Sequence, residues 1–521
     1  MNVISKPRSG FHPSLPAFLF LIWALLIPLF EGESMVNADG DPSRHIRHGE
    51  TILAQKDVIR NDPFSFTKPG APYVGFEYGS QILLTVAHEL GGTPGMVVLA
   101  TIVIAATLAL LLWWLLRKGV DPLLAVLTTL VVAILTNIHW LARPHIFSWP
   151  LTIALVAMLE SDRLPRWPWW AAMFAFWVNL HGAFVFGWLL IGMYLAGHIA
   201  EWWWNDDPIA KAAEWARARA LVPILAIAVL ASLVNPYGWH LPQHVVRFFG
   251  DPWLRRLTQE FLSPDFHSHD LYPFLFALLG VMVLLAVRPR PRWTHLMVLL
   301  GSVGMALISQ RNIVQFGLIA VPLIALDENA YWKKRIGSSS FATNFGAAAR
   351  TGITWPWVTA TVALLFALAG ARGQVAGREV IPDGFSPVRF PVAAVSAARA
   401  GQVQGRIFNE FIWSGYILYA WPEMKVFIDG GSDFYGGELL RTHRDIINLQ
   451  PGWRDSLDAY RINLTLTATG RALTEELLRE PEWVPRFCDS TAVLLSRNGA
   501  VTGADSVPRS NCHTVRQNTD H

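Results

Sequence analysis

The chain has 521 residues, of which 52% are hydrophobic and only 16% are charged. Soluble proteins average about 25% charged residues, so this composition, with its 24 Trp and 29 Phe, excludes an ordinary soluble enzyme and a disordered chain. The net charge of +3 is too small for a nucleic-acid-binding protein, and two Cys exclude a disulfide-dense scaffold. A polytopic α-helical membrane protein is the class that remains.

Apolar segments occur along the first 371 residues. A membrane-spanning helix needs about 20 mainly apolar residues. The sequence predicts eleven spans, near 14–30, 93–116, 121–139, 145–160, 167–181, 183–200, 219–234, 271–287, 293–309, 312–326 and 353–371. Pro16 and Pro28 bound the first apolar stretch, and no small-x-small cleavage site follows it. We therefore expect a retained span there, not a signal peptide.

The distribution of Lys and Arg predicts the orientation. With the N-terminus in the cytoplasm, sixteen of these residues fall in inner segments and five in short outer segments, as the positive-inside rule requires. Residues 31–92, 235–270 and 372–521 are then external. Since the spans carry no organelle-targeting signal and are rich in Arg, Ala and Trp, we expect a bacterial inner membrane with a periplasmic C-terminal domain.

The composition changes at residue 372, where charged residues return. Residues 1–371 are predicted to form the membrane domain, 372–497 a small α/β domain, and 498–521 a flexible tail. β-like runs occur at Lys425–Ile428 and Leu464–Thr467, and helical patterns at Gly437–Asn448 and Leu473–Arg479. Cys488 and Cys512 both lie in this external part, where either a disulfide or two free thiols can persist.

Polar residues concentrate at the predicted outer ends of the spans. Such groups are costly at membrane depth unless they pair or line a wet cavity, so a cavity open to the outside is predicted. The residues are Asp39, Asp41, Glu77, His139, Arg143, His145, Asn179, His181, Asn235, Tyr237, Gln259, Glu260, Gln310, Arg311 and Asn312.

Each of these residues also has a purely structural interpretation. A histidine at a helix end can pair with loop backbone, and Asn179 and Asn235 can cap helix ends. Arg143 and Arg311 can be headgroup anchors. The functional interpretation depends on the shared face and not on any single residue.

The first outer loop is the most informative segment. Asp39 and Asp41 follow the first span, and a short amphipathic helix comes after them. A carboxylate at the membrane surface suits proton abstraction from an acceptor hydroxyl. The alternative is that the two carboxylates only cap the helix.

A second polar cluster has residue types that ligate metals. Asp265, His267 and His269 alternate along the chain and would share one face of an extended segment. Zinc or another divalent ion is one interpretation, and a plain polar outer loop is the other. We expect no metal.

The stretch from Asp41 to Leu53, in a long loop after a first span, resembles the loop-one motif of the GT-C superfamily. These are integral-membrane glycosyltransferases that use polyprenyl-phosphate-linked sugars, and the resemblance is to bacterial aminoarabinose and protein-mannosyl transferases. It covers about two thirds of the chain and implies a GT-C-like fold. The family includes both metal-dependent and metal-independent members.

The external domain carries a second resemblance. The stretch Phe408–Tyr416, followed by Lys425–Gly431, is similar to the WWDYG region of oligosaccharyltransferases and the Asp-Gly-Gly turn after it. Gly415 and Tyr416 match the motif. Phe411–Trp413 stand where that family has Trp-Trp-Asp, which reads the acceptor peptide, so peptide N-glycosylation is in doubt.

The resemblance implies transfer of a sugar from a polyprenyl phosphate to an external lipid, glycan or protein. Asp41 is the expected base, with Asp39 second, and Arg311, Arg143, His145 and His181 are the expected phosphate ligands. Glu77, Asn179, Asn235, Tyr237 and Glu260 are expected to line the acceptor cavity. A transporter or flippase, or a non-catalytic envelope assembly protein, is the alternative. Against a transporter, no paired halves with matching broken helices are present.

Overall fold

The computed structural model describes residues 14–250, 256, 259–288, 291–336, 345–346, 373–375, 378–379, 381–497, 507–509 and 512. Its α-helices, numbered in chain order, are α1 (Leu15–Glu31), α2 (Ser34–Asn37), α3 (Asp41–Gln55), α4 (Tyr78–Arg117), α5 (Pro122–Thr136), α6 (Ser148–Leu159), α7 (Trp167–Trp177), α8 (Phe184–Trp204), α9 (Pro208–Ala231), α10 (His240–Gly250), α11 (Tyr272–Val287), α12 (Trp293–Ile308), α13 (Ile313–Arg335), α14 (Val392–Ala400), α15 (Ser414–Ala420), α16 (Ser432–Ile447), α17 (Trp453–Ala459) and α18 (Ala472–Arg479).

The strands and the short 3₁₀ turns complete the described secondary structure. The strands are β1 (Gln374–Val375), β2 (Arg378–Glu379), β3 (Ile407–Asn409), β4 (Leu464–Ala468), β5 (Trp483–Cys488) and β6 (Ala492–Arg497). The 3₁₀ turns are Asn137–His139, Pro144–Phe147, Gln259–Phe261, His269–Leu271, Gln310–Asn312 and Phe411–Trp413.

Helices occupy the apolar segments that the sequence predicts as spans. Within the described residues, five helical segments are long and apolar enough to cross a membrane: Tyr78–Arg117, Pro122–His139, Phe184–Trp204, His269–Val287 and Gln310–Arg335. Shorter apolar helices include Leu15–Glu31, Pro144–Leu159 and Trp293–Ile308. The predicted span 353–371 lies outside the described residues, so the total of eleven stays a prediction.

Helix starts follow local sequence signals. The Asp121 side chain accepts hydrogen bonds from the N–H groups of Leu123 and Leu124, at 3.0 and 3.4 Å, and Pro122 opens α5. Asp207 caps α9 in the same way. An N-cap carboxylate satisfies an otherwise unpaired N–H, and proline at the first position has a suitable φ.

The second predicted span corresponds to the part of α4 that follows a break in this helix. The α4 segment begins at Tyr78, and the helix resumes after the break next to the predicted start near residue 93. Gly91 and Gly92 interrupt α4, and Gly92 has a φ of +64° that favours glycine. The apolar stretch after this break is what the hydropathy pattern detects, whereas the helix before it is more polar.

The chain divides into two compact units. The described residues of the first unit fall within Met1–Glu31, Val98–Val245 and Thr258–Val380. Those of the second fall within Gly32–Val97, Val246–Leu257 and Ile381–His521. The second unit therefore joins the first outer loop to the C-terminal part of the chain, an association that the sequence did not predict.

A mixed sheet organises the C-terminal part of the second unit. The strand order is β3-β4-β6-β5, with β3 parallel to β4 and the other pairs antiparallel. Phe408, Phe427 and Trp483 are buried in its apolar core. Strand β4 and helices α16 and α18 lie where the sequence predicts them. Cys488 and Cys512 form a disulfide, with their Cα atoms 5.3 Å apart.

The predicted β-run at Lys425–Ile428 is not a strand of this sheet. Only Val426 pairs, through an isolated parallel bridge to Ser65. The Phe66 N–H donates to the Val426 carbonyl at 3.2 Å, and the Val426 N–H donates to the Phe64 carbonyl at 3.0 Å. The segment therefore pairs with the first outer loop, which the β-propensity of its residues does not reveal.

Candidate active site

A carboxylate precedes the helix of the first outer loop. The Asp39 side chain accepts a hydrogen bond from the Asp41 N–H at 3.0 Å, at the start of α3. Asp39 therefore closes a turn onto the first residue of α3, whose N-cap residue Gly40 has no side-chain cap hydrogen bond. The Asp41 carboxylate instead faces the side chain of Arg44, one turn further along α3.

A buried guanidinium holds the carboxylates of this loop. Arg44 Nε lies 3.4 Å from Asp41 Oδ1, and Arg44 Nη2 lies 3.7 Å from Glu77 Oε2. The Arg44 side chain is only 7% exposed, while Asp41 and Glu77 keep 14% and 13%. Burial lowers the pKa of Arg44, but the neighbouring carboxylates, Asp41 first, raise it further, so the net pKa lies above its ordinary value. The cation is therefore permanent.

The Asp-Gly-Gly turn of the C-terminal part lies directly against Asp41. A Cβ atom on Gly430 would stand 2.1 Å from Asp41 Oδ1, closer than any side chain allows. Asp429 Oδ1 accepts a hydrogen bond from the Gly431 N–H at 2.6 Å, and Asp429 Oδ2 accepts one from the Tyr435 hydroxyl at 3.3 Å. Only glycine at position 430 leaves room for the Asp41 carboxylate.

A second pair of glycines brings α15 against the start of α3. A Cβ atom on Gly415 would lie 2.3 Å from the Gly40 carbonyl oxygen and 2.9 Å from the Arg44 nitrogen. A Cβ atom on Gly40 would lie 2.0 Å from the Ile412 carbonyl oxygen. Gly415, which matches the oligosaccharyltransferase-like motif, thus allows this segment to approach the helix that carries Asp41 and Arg44.

Asp429 is the residue of this cluster that the sequence analysis missed as a site residue. Its side chain is buried, and burial raises its pKa to about 6, against the lowering effects of Arg44 and the Gly431 N–H. Asp62 and Asp41 raise the pKa further. The signal in the sequence was an aspartate before two glycines at the end of an apolar run. Arg44 was missed as well, although its spacing of three from Asp41 predicts contact on a helix.

The cluster does not fit a divalent metal ion. Asp41 and Glu77 both face Arg44, so a guanidinium already supplies the positive charge. Within the residues that the structure describes, no three His, Cys, Asp or Glu side chains are grouped to hold a metal.

Asp265, His267 and His269 do not converge on a common site. His267 Nδ1 contacts Asp265 Oδ1 at 2.8 Å, but the two side chains are 99% and 72% exposed. The His269 ring packs against Tyr272, with the centroids 5.0 Å apart. The polar-loop interpretation describes this segment, because metal ligands are normally held in place by further contacts.

The first unit contains a separate cluster of two arginines and one carboxylate. Arg143 Nη1 lies 2.8 Å from Glu260 Oε1, and Arg311 Nη1 lies 3.8 Å from Glu260 Oε2. Burial raises the pKa of Glu260, but Arg143 and Arg311 lower it more, so the net pKa is well below its usual range. Two cations and one anion leave a net positive charge, and the longer contact leaves Arg311 less tightly held. The structure thus brings together three residues that the sequence singled out.

His145 and His181 form hydrogen bonds with backbone groups and with a serine hydroxyl. The His145 imidazole contacts the His139 carbonyl oxygen through Nε2 at 2.8 Å. His181 Nδ1 lies 3.1 Å from the Ser148 hydroxyl and accepts a hydrogen bond from the Ala183 N–H at 3.2 Å. Hydrogen bonds of this kind are those expected from the structural interpretation of His145 and His181, and their role as phosphate ligands stays a prediction.

Asn179, Asn235 and Tyr237 form a turn between helix ends. The Asn179 side-chain amide donates to the Val234 carbonyl at 2.8 Å. Asn235 Oδ1 accepts from the Tyr237 N–H at 2.8 Å, and its amide donates to the Ser232 carbonyl at 2.9 Å. These hydrogen bonds are those of caps and turns, and a role of these residues in lining a cavity stays a prediction.

Comparisons with known proteins identify the fold. No protein-family profile matches the sequence, and no curated protein is similar to it in sequence. The archaeal oligosaccharyltransferase AglB from Archaeoglobus fulgidus, solved with an inhibitory peptide and a dolichol-phosphate, is 12% identical, with a TM-score of 0.52. The alignment covers 96% of this chain and 76% of that chain.

A second solved structure was also found by the comparison. ArnT from Cupriavidus metallidurans, bound to undecaprenyl phosphate, is 14% identical, with a TM-score of 0.49. The alignment covers 94% of this chain and 99% of that chain.

Proposed function

Because the chain has the fold of a GT-C-like membrane protein, we propose that it is a glycosyltransferase. Its donor is a sugar linked to a polyprenyl phosphate, and its acceptor is a hydroxyl or amine outside the cytoplasm. The fold makes glycosyl transfer the first reaction class to consider. The roles of individual residues are argued from the two clusters described above.

One observation carries the proposal. Three stretches that the sequence analysis singled out for their resemblance to glycosyltransferases pack together within the second unit: the loop-one motif, the segment containing Gly415 and the Asp-Gly-Gly turn. Gly430 and Gly415 have no room for a side chain because Asp41 and the start of α3 occupy the space. Burying a charged pair is costly. A loop with only a structural role would therefore not need a carboxylate held against a buried cation.

We assign the role of base to Asp41. The acceptor oxygen or nitrogen forms a bond with the anomeric carbon while the bond from that carbon to the phosphate oxygen breaks. The Asp41 carboxylate takes the acceptor proton. Asp41 is more exposed than Asp429, whose side chain is buried and hydrogen-bonded to Gly431 and Tyr435. Asp39 positions Asp41 by accepting a hydrogen bond from the Asp41 N–H and is not the base in this proposal.

The departing polyprenyl phosphate needs positive charge. We assign this role to Arg311 and Arg143, because their cluster with Glu260 keeps a net positive charge and Arg311 is only loosely paired. Bidentate arginine is well suited to a phosphate. His145 and His181 take no part in this proposal, since their described contacts are to backbone and to Ser148.

The cellular setting belongs to the same proposal. The enzyme lies in a bacterial inner membrane, with the N-terminus in the cytoplasm and the C-terminal domain in the periplasm. The lipid carrier and the surrounding membrane lipids are its expected partners.

Binding and transfer can be tested separately on the purified full-length protein. We expect undecaprenyl phosphate to raise the unfolding temperature of wild type and of Asp41→Asn, but much less that of Arg311→Gln. Transfer should fall about 10²–10³-fold in Arg311→Gln, as for the loss of one charge-stabilising donor. Asp57→Asn, an exposed aspartate of the same loop, is the matched control for Asp41→Asn. Absence of lipid-phosphate binding by the wild type would contradict the proposal, and binding with full function in Asp41→Asn would favour a transporter.

A further inference from the structure

The first unit contains a cavity of about 390 Å³ among α11, α12 and α13. Its inner wall is aliphatic, with Val281 and Leu284 from α11, Leu299 from α12, and Leu323 and Ile324 from α13. Ligand pockets usually measure about 300–1,000 Å³. The cavity is therefore large enough for part of an apolar ligand.

Helix α11, which lines one side of this cavity, is largely exposed. Only 11% of the most apolar window of the segment His269–Val287 is buried. Met282, Val283 and Val287 are 65%, 59% and 67% exposed. An apolar helix with this exposure faces hydrocarbon in a membrane protein. The cavity is thus lined by a helix that also faces the bilayer, which is a source of apolar chains.

The rim of the cavity is charged, and one of its two arginines is exposed. Arg288 Nε lies 3.1 Å from Glu328 Oε2, and His295 Nδ1 lies 2.9 Å from Asp327 Oδ1, so both acidic residues are already paired. Arg292 lines the rim and is exposed.

We propose that this cavity binds an anionic phospholipid. One acyl chain lies among the aliphatic side chains, and the phosphate contacts Arg288 and Arg292. Basic pockets between membrane helices recognise anionic headgroups in this way. Helix α12 starts at Trp293, beside the rim, and ends at Ile308, shortly before Arg311. The lipid site is therefore at the other end of α12 from the candidate donor-phosphate site and is independent of the proposed function.

The test uses the purified full-length protein and two synthetic lipids with the same acyl chains. Phosphatidylglycerol and phosphatidylcholine each carry a photoreactive diazirine near the end of one chain. We expect phosphatidylglycerol to label peptides containing 281–285 and 320–324 saturably, and phosphatidylcholine to label them weakly. Affinity should fall about fivefold for each of Arg288→Gln and Arg292→Gln, which corresponds to about 1 kcal/mol per cation. Arg163→Gln, an exposed cation outside the cavity lining, should leave the labelling unchanged.

A second pair of variants tests the apolar part. Leu284→Trp fills the cavity and should abolish the labelling, whereas Val283→Trp on the exposed side of α11 should not. Equal labelling by both lipids, or labelling confined to other peptides, would overturn the proposal. Full competition by glycerol 3-phosphate would show a headgroup site without a lipid chain, which also overturns it. The wild-type map decides these points even if Leu284→Trp does not fold.

Discussion

The contact between Gly430 and Asp41 gives the sharpest prediction about the candidate site. In Gly430→Ala, the new Cβ would stand 2.1 Å from Asp41 Oδ1. Heavy atoms of this kind normally keep about 3.5 Å or more between them. The carboxylate must therefore move by more than about 1 Å.

The displaced atom is the end of a short side chain that keeps 14% exposure, so the carboxylate can turn away at little cost to folding. A misplacement of about 1 Å in a reacting group costs about a hundredfold in rate. We therefore expect Gly430→Ala to lower transfer about a hundredfold, while the protein stays at wild-type abundance in the membrane.

The assay compares the amount of the transferred sugar in cell-envelope material at equal membrane abundance of each variant. Gly192→Ala is the matched control, because a Cβ atom there meets nothing within 4 Å. A wild-type level of product in Gly430→Ala would refute the assignment of Asp41 as the base. A loss of product that only follows a loss of protein would refute the reasoning about the local displacement.

Three further predictions concern stability. Removing the buried cation in Arg44→Met should lower the free energy of unfolding by about 3–5 kcal/mol, because several carboxylates lose their partner. Thermal unfolding in detergent measures this loss, and an unchanged unfolding midpoint would contradict it. The folded protein holds the Asp429 proton more tightly than the unfolded chain, whose ordinary pKa is 3.8, so the stability of wild type relative to Asp429→Asn should fall by about 3 kcal/mol as the pH rises from about 4 to 6. An equal pH dependence in both proteins would contradict the raised pKa. Reduction of the Cys488–Cys512 disulfide, which closes a loop of 24 residues, should cost about 3 kcal/mol, and the double Ser variant should lose this sensitivity to reductant.

The membrane helices were the most predictable part of the fold. Their signals are local: an apolar run, an Asp-Pro start such as Asp121–Pro122, and charged residues after the end. The part of α4 before Gly91 was not predicted as a helix, because it is not uniformly apolar and two glycines separate it from the rest. The pairing of Lys425–Ile428 with the first outer loop was not predicted, because its partner, Ser65, is about 360 positions away in the sequence.

The residues of the two candidate clusters were predicted more completely than the contacts within each cluster. Asp41, Glu77, Arg143, Glu260 and Arg311 were all singled out by residue type and position. That Arg44 would hold Asp41 and Glu77, or that Glu260 would pair with both arginines, depends on contacts between distant segments.

The importance of two glycines could be recognised only from the folded structure. Gly430 and Gly415 have ordinary glycine environments in the sequence, and neither has a positive φ. Their role is to leave space for Asp41 and for the backbone of α3, which no local pattern encodes.

The central claim is that the chain transfers a sugar outside the cytoplasm with Asp41 as the base. Its most direct test is a mass profile of envelope glycans, glycolipids and glycoproteins from a deletion strain and from the same strain restored with wild type or with Asp41→Asn at equal membrane abundance. We predict that one sugar modification disappears in the deletion and returns only with the wild type. Full restoration by Asp41→Asn, or no change in any product on deletion, would contradict the claim.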